Sequence, residues 1–463
     1  MRSPAIGLLV AALLVAPALG ACGSDDRPAD GGDRSAAAFG DPPDAPEGPL
    51  APDTADAAAA VVDAGAGGSI DRDALEVVAG SRDARLGWLL SDLLRFAPPG
   101  AGEQPITSAF ANLTGVDVGT PGGAGTAWLE LTDHMIAWDL PAPPGYRGLK
   151  AELFTALEPG WRPFFADPRS EIDWRLVSWG GVLIDDRPPG DPRPCPNGCI
   201  PALDDPELTP AADGDWHPDD RTVFGVVVGG EAVAFPKNVM EVHEMVNVTI
   251  GGRRVGIPYC TLCGSPQAYF TDSVPSRFAT PVLRTSGLLS RSNKVMYDLR
   301  TASVLDTFTG RALSGPLHDR NVTLEQTSVV ASSWGEWKRE HPDTRIVAED
   351  GGIGRSYPAD PLGGRDDDGP IFPVGDVDPR LPAQAEVVGV VASGGRPIAF
   401  PAEQARAALA EGEEVSLAGV EAVADGDGLR VLGPGGDELA AHQAFWFAWS
   451  QFHPDTELWS PPR

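Results

Sequence analysis

Two cysteines three residues apart, Cys260 and Cys263, follow a His243-Glu244 pair within the stretch Val242 to Ser265. Few other stretches of the chain concentrate so many reactive groups. Two thiols at this spacing can bind one soft metal or close a small disulfide ring. With His243 the set becomes Cys2His, which suits Cu(I) or Zn(II) with a fourth position open; Met296 and Glu244 are the candidates for that position. The same thiols suit a redox couple, with Cys260 as nucleophile, Cys263 as resolving thiol and His243 stabilising the thiolate. A third reading makes the pair a structural disulfide, with His243 a hydrogen-bonded residue at a helix end. There is no Gly-x-Ser-x-Gly and no His-Glu-x-x-His, so a serine or zinc hydrolase has little support. No thioredoxin-like βαβ pattern surrounds the Cys-x-x-Cys, which counts against the redox reading.

The elements that must position these groups follow from periodicity. Val239, Val242 and Val246 recur at i, i+3 and i+7, one stripe of a short helix, with His243 beside it and Glu244 further toward solvent. Val248 to Ile250 reads as a strand, Gly251-Gly252 as a two-residue turn, and Arg253 to Tyr259 as the returning strand. That hairpin delivers Cys260 and Cys263 to a strand end. Thr285 to Thr309 reads as strand-turn-strand, with Ser286, Asn293, Tyr297 and Asp298 able to bond a ligand or each other.

Export is written at the start of the chain. Arg2 supplies a positive n-region, Ile6 to Leu19 an apolar run too short for a membrane span, and Leu19-Gly20-Ala21-Cys22 matches a bacterial lipobox. Residues 1–21 are therefore expected to be a lipoprotein signal, with Cys22 lipidated and the body anchored outside the cytoplasm. Four cysteines remain, and an even number in an oxidising compartment permits two disulfides, or one disulfide and one metal site. The turn chemistry of Cys195-Pro-Asn-Gly-Cys199 predicts a local disulfide. The net charge of −31, from 66 acidic and 35 basic residues, argues against a nucleic-acid partner. A protein or small-molecule partner is left open.

The expected organisation is α+β. Residues 22–71, rich in Ala, Gly, Pro and Asp, read as a disordered acidic tether. Residues 72–185 read as an all-α domain, with helices over Asp73 to Phe96, Ala127 to Trp138 and Leu149 to Leu157, and with His134 packed in one of them. Residues 186–222 form a linker. The remainder, 223–380 and 381–463, reads as a duplicated, β-rich unit packed as a pseudo-dimer. Val223 to Pro236 and Val387 to Pro401 are both strand, Gly-Gly turn, strand and Phe-Pro. Trp334 to Ile346 and Trp446 to Leu458 share Trp, Trp, His, Pro, Asp and Thr without a gap. What both copies share is scaffold, so His341 and His453 are expected to be structural. Only the first copy carries the cysteines, which points to a single site there.

His243-Glu244 with Asn247, Tyr259-Cys260-x-x-Cys263-Gly264, Ser286-Gly287 and Asn293-x-x-Met296-Tyr297-Asp298-x-x-Thr301-x-Ser303 resemble the family called domain of unknown function 3179. The resemblance runs from about Cys199 to His453. It implies an exported or surface-attached protein and no particular reaction. Where the family usually has Trp, Asp, Pro and Trp, this chain has Val242, Val248, Thr261 and Leu305. Such departures would weaken the orientation of metal ligands.

Overall fold

The computed structural model describes residues 35–97, 102–118, 126–195, 197–365 and 369–461. Cys22 and the expected signal segment lie outside the described residues. Among the described residues no helix is long and apolar enough to cross a membrane.

A helical region comes first. Among the described residues, seven α-helices lie between Pro52 and Ala166: Pro52–Ala66, Arg72–Gly80, Gly87–Phe96, Glu103–Thr114, Thr126–Trp138, Tyr146–Leu157 and Arg162–Ala166. The first of them corrects the tether reading of 22–71. Alanine is the best helix former and Pro52 sits at the favoured first position. The small side chains of Ala57, Ala58, Val61 and Val62 bury one face. Gly65 lets the helix close on Leu93 and Leu153, which would lie 2.8 and 3.4 Å from a Cβ there. Low complexity here serves close packing rather than disorder.

The helix expected over 73–96 is two helices. Arg82 takes a left-handed φ of 56°, and Asp83 accepts a hydrogen bond from the Arg85 amide, so the chain turns between them. The helix Glu103–Thr114 was not foreseen; it ends at Gly115, whose φ of 79° is a left-handed cap. Thr126–Trp138 and Tyr146–Leu157 cover the other two expected helices.

Five sheets follow. The first joins Val177–Trp179, Leu283–Ser290, Asn293–Asp298 and Val304–Asp306. Its strand Val177–Trp179 comes from the expected helical domain and pairs antiparallel with Leu283–Ser290, so 185/186 is not a break. Leu288, Val295, Tyr297 and Val304 of this sheet share one core with Phe154, Trp161 and Phe164 of the helices. The expected linker 186–222 also contributes strands, Leu203–Asp204 and Leu208–Pro210.

The second sheet carries the cysteines. Its strands run in the order Glu325–Thr327, Ala268–Phe270, Arg253–Cys260, Met245–Ile250 and Leu203–Asp204, with Ser265–Pro266 paired to the end of Arg253–Cys260. The third is ordered Val330–Ser333, Thr222–Val228, Glu231–Pro236, Arg345–Val347 and Leu208–Pro210. The fourth is ordered Ala441–Phe445, Glu386–Ala392, Arg396–Pro401 and Glu457–Leu458. The fifth comprises Val415–Leu417, Val420–Asp425, Gly428–Leu432 and Glu438–Leu439.

Candidate functional site

The helix before the site spans Lys237–His243, shorter than the valine stripe implied. Glu244 ends it with a left-handed φ of 51°, and Val246 already belongs to the strand Met245–Ile250. That sharp turn sends the two neighbours His243 and Glu244 in different directions. His243 is 1% exposed. Its Nδ1 lies 2.7 Å from the Pro201 carbonyl oxygen and its Nε2 lies 2.8 Å from the Tyr357 hydroxyl. A carbonyl can only accept, so Nδ1 carries the proton and Nε2 accepts from Tyr357. Burial pushes the ring pKa down to about 4, against the opposing pull of the Pro201 bond.

Glu244 does not face solvent; it reaches the cysteine loop. Its Oε1 accepts from the Thr261 hydroxyl at 3.1 Å, and Thr261 stands between the two cysteines. Its Oε2 is 2.7 Å from the ammonium of Lys294, which also donates to the Glu244 carbonyl at 2.8 Å. Lys294 is buried, and desolvation lowers its pKa against the raising effect of Glu244.

Cys260 and Cys263 are at disulfide distance, with Cα atoms 5.3 Å apart. They are 4% and 0% exposed and pack with Val387 of the fourth sheet and with Trp446 and Trp449 of the helix Trp446–Phe452. Both sulfurs face the Ser292 carbonyl, at 3.7 and 3.3 Å. Of the two serines next to them, Ser265, paired in register with Cys260, and Ser292, the buried hydroxyls make no protein hydrogen bond; nor do the two polar atoms of the Gln267 side chain and Asn293 Oδ1. His243 does not join this pair. Among the described residues, no group of three ligand atoms within 4.8 Å contains His243, Cys260 and Cys263. The expected Cys2His set is therefore not assembled, because both imidazole nitrogens are engaged elsewhere. Met296 is fully buried in an apolar cluster with Met245, Leu283 and Leu305.

Cys195 and Cys199 are also at disulfide distance, Cα to Cα 5.2 Å, and lie with Asp185 close enough to hold an ion. The Asp185 carboxylate is already occupied. It accepts from Arg187 at 2.6 and 3.0 Å and from the Ala202 amide at 2.8 Å.

The remaining motif residues hold the fold. Asn247 donates to Asp204 at 2.9 Å and exchanges bonds with the Leu283 backbone, while the buried Arg284 guanidinium pairs with Asp204 at 2.6 Å. Ser286 donates to the Val295 carbonyl and Tyr297 to the Asp185 carbonyl. Asp298 accepts from the amides of Val282, Arg300 and Thr301 and from the Thr301 hydroxyl. Tyr259 is buried with its ring 4.7 Å from that of Phe224.

On its Tyr357 side, His243 borders a feature that the motifs did not signal. Tyr357 lines an open cleft of about 1040 Å³, together with Trp216, His217, Lys237, Asn238 and Glu241. Trp216 Nε1, His217 Nε2 and Asn238 Oδ1 are buried there without a protein partner. The only sequence trace of this surface is the Trp216-His217 dipeptide in the supposed linker.

No curated protein and no solved structure matches the chain. A family match covers residues 197–433, just over half of the chain, and includes both sides of the cysteine hairpin. The chain thus belongs to the family described as protein of unknown function (DUF3179).

Proposed function

We propose that the protein is a lipid-anchored, extracytoplasmic binding module. In it Cys195–Cys199 and Cys260–Cys263 are structural disulfides, and a ligand enters the cleft beside Tyr357. The observation that carries this reading is one open cleft of about 1040 Å³, lined by Trp216, His217, Asn238 and Tyr357, whereas most of the motif side chains are satisfied inside the fold. The anchor rests on the lipobox at Cys22.

A duplication underlies the module. Each half has an antiparallel hairpin flanked by one antiparallel and one parallel strand. In each, a buried tryptophan donates to a threonine: Trp337 to Thr344 at 3.0 Å and Trp449 to Thr456 at 2.9 Å. Gly225 and Gly389 supply the flat seats those rings need, since a Cβ at either would lie within 2.3 Å of the indole.

A second reading keeps Cys260 and Cys263 reactive, as a copper or zinc site or a redox pair. The partnerless hydroxyls of Ser265, in register with Cys260, and of Ser292, whose carbonyl faces both sulfurs, favour it. Alkylation of the denatured, unreduced protein together with elemental analysis separates the two. The disulfide reading expects no alkylation of Cys195, Cys199, Cys260 or Cys263 and no stoichiometric metal. About one copper or zinc per chain, lost in Cys260→Ala, would sink it in favour of the metal site. Free thiols without metal would favour the redox pair.

A further inference from the structure

We infer that Lys150 and Asp92 condense into a side-chain amide, a cross-link between two helices, with the Tyr146 hydroxyl as proton carrier. This modification lies in the helical region and goes beyond the binding-module reading. Asp92 stands on the helix Gly87–Phe96, and Tyr146 and Lys150 stand on the helix Tyr146–Leu157. Four residues apart, Tyr146 and Lys150 share one face of their helix, and that face meets Asp92. The three groups close a triangle. Lys150 Nζ donates to Asp92 Oδ1 at 2.7 Å and to the Tyr146 hydroxyl at 3.0 Å, and that hydroxyl donates to Asp92 Oδ2 at 2.7 Å. The carboxyl carbon is thereby about 3.5 Å from the amine, at the edge of near-attack range. All three side chains are buried, Lys150 with 1% exposure. Its Nζ lies 4.8 Å from the centre of the Phe154 ring, so bulk water is kept from the amine.

Burial works toward the forms that react. It raises the pKa of the Asp92 carboxyl and lowers that of the Lys150 ammonium, against the attraction between them. One proton passes from Lys150 to Asp92 Oδ2, which leaves a free amine and a free acid. The amine lone pair attacks Cγ, and the bond from Cγ to Oδ2 breaks. The surplus proton on the nitrogen goes to the Tyr146 hydroxyl, which gives its own to Oδ2. Oδ2 departs as water, Tyr146 is restored, and a neutral amide replaces two buried charges. No oxidant, reductant or cofactor enters. Lys294 and Glu244 also pair at 2.7 Å, but Glu244 keeps its other oxygen on Thr261, and no hydroxyl among the described residues bonds both partners. That pair is the internal control.

The test is peptide mapping of the full-length chain, held folded in detergent, then reduced, denatured, digested with trypsin and read by mass spectrometry. The expected result is one joined species carrying Asp92 and Lys150. It should be lighter by one water than its two peptides together and uncut at Lys150, while Lys294 is cut normally. Tyr146→Phe keeps the ring and removes the carrier. With unchanged circular dichroism, it should leave most chains unjoined at the age at which the wild type is complete. Joining as complete in Tyr146→Phe as in the wild type would overturn the role of the hydroxyl. Separate Asp92 and Lys150 peptides at their sequence masses in the wild type would overturn the cross-link and leave a buried ion pair. Water lost within the Asp92 peptide alone, as a cyclic imide, overturns it too.

Discussion

His243 and Glu244 are adjacent in sequence and serve different places, and the consequence of each is measurable. His243 is a neutral ring locked between an acceptor, the Pro201 carbonyl, and a donor, the Tyr357 hydroxyl. Its pKa is held near 4 by burial, below the ordinary histidine value of about 6.5. As pH falls through 6.5 the unfolded chain takes up this proton and the folded chain does not. Stability is therefore full above pH 6.5 and is lost as pH falls toward 4, by ~3 kcal/mol from this ring alone. Burial gives His442 and His453 the same sign, with pKa values of about 3 and 4. Urea unfolding at pH 7.0, 5.5 and 4.5 should show this loss, and His243→Gln should have a shallower pH slope by about one proton. An identical slope in the variant would refute the account. Tyr357→Phe should cost about 1 kcal/mol at pH 7, because Nε2 then accepts from no protein group. The sequence made this histidine visible and misled about its partners. Pro201 and Tyr357 lie far along the chain in opposite directions, and no local pattern marks them.

At the scale of elements, the cysteine hairpin and the hairpin Leu283–Asp298 are fastened by one buried ion pair. Lys294 projects from the second and meets Glu244, whose other oxygen holds the Thr261 hydroxyl in the cysteine loop. Truncating one partner of a buried pair leaves the other charge uncompensated, at a cost of about 3 kcal/mol. Lys294→Met should thus lower the chemical-denaturation midpoint markedly, and the double variant Glu244→Gln/Lys294→Met should recover most of the loss. A double variant no more stable than the single one would show that the pair does not act as a unit. The hairpins themselves were legible: Gly251 and Gly252 both take positive φ, as the turn between Val248–Ile250 and Arg253–Tyr259 requires. The ion pair is not legible, since no local pattern gives Lys294 a partner and the valine stripe directs Glu244 toward solvent. Nor was the helix Pro52–Ala66 legible, because a stretch of alanine, glycine and aspartate has the composition of disorder until large neighbours such as Leu93 and Leu153 close on it.

At the scale of the molecule, the family segment is not a free-standing unit. Its first sheet is completed by Val177–Trp179, from before residue 197, and its face of Leu288, Val295, Tyr297 and Val304 is covered by the helices. Trp161 donates to the Ser286 carbonyl at 2.7 Å, and the buried Asp133 accepts from the amides of Val374 and Gly375 at 2.7 and 2.8 Å. At the other end, Ala441–Phe445 and Glu457–Leu458 flank the fourth sheet after residue 433. They bring Trp446 and Trp449 against the cysteine pair. Asp427 accepts from Ser332 and Ser333, and Asp425 meets His341, so the fifth sheet is tied to the strand Val330–Ser333 and to the helix end at His341. A chain cut to residues 197–433 would expose both seams, an apolar area that single domains rarely leave to water. It should therefore aggregate or bind a hydrophobic dye, whereas residues 35–463 should unfold in one calorimetric transition. A soluble, cooperatively folding 197–433 fragment would overturn this. The helical region would then be an appended domain, and the continuous core across residue 185 would contribute little to stability.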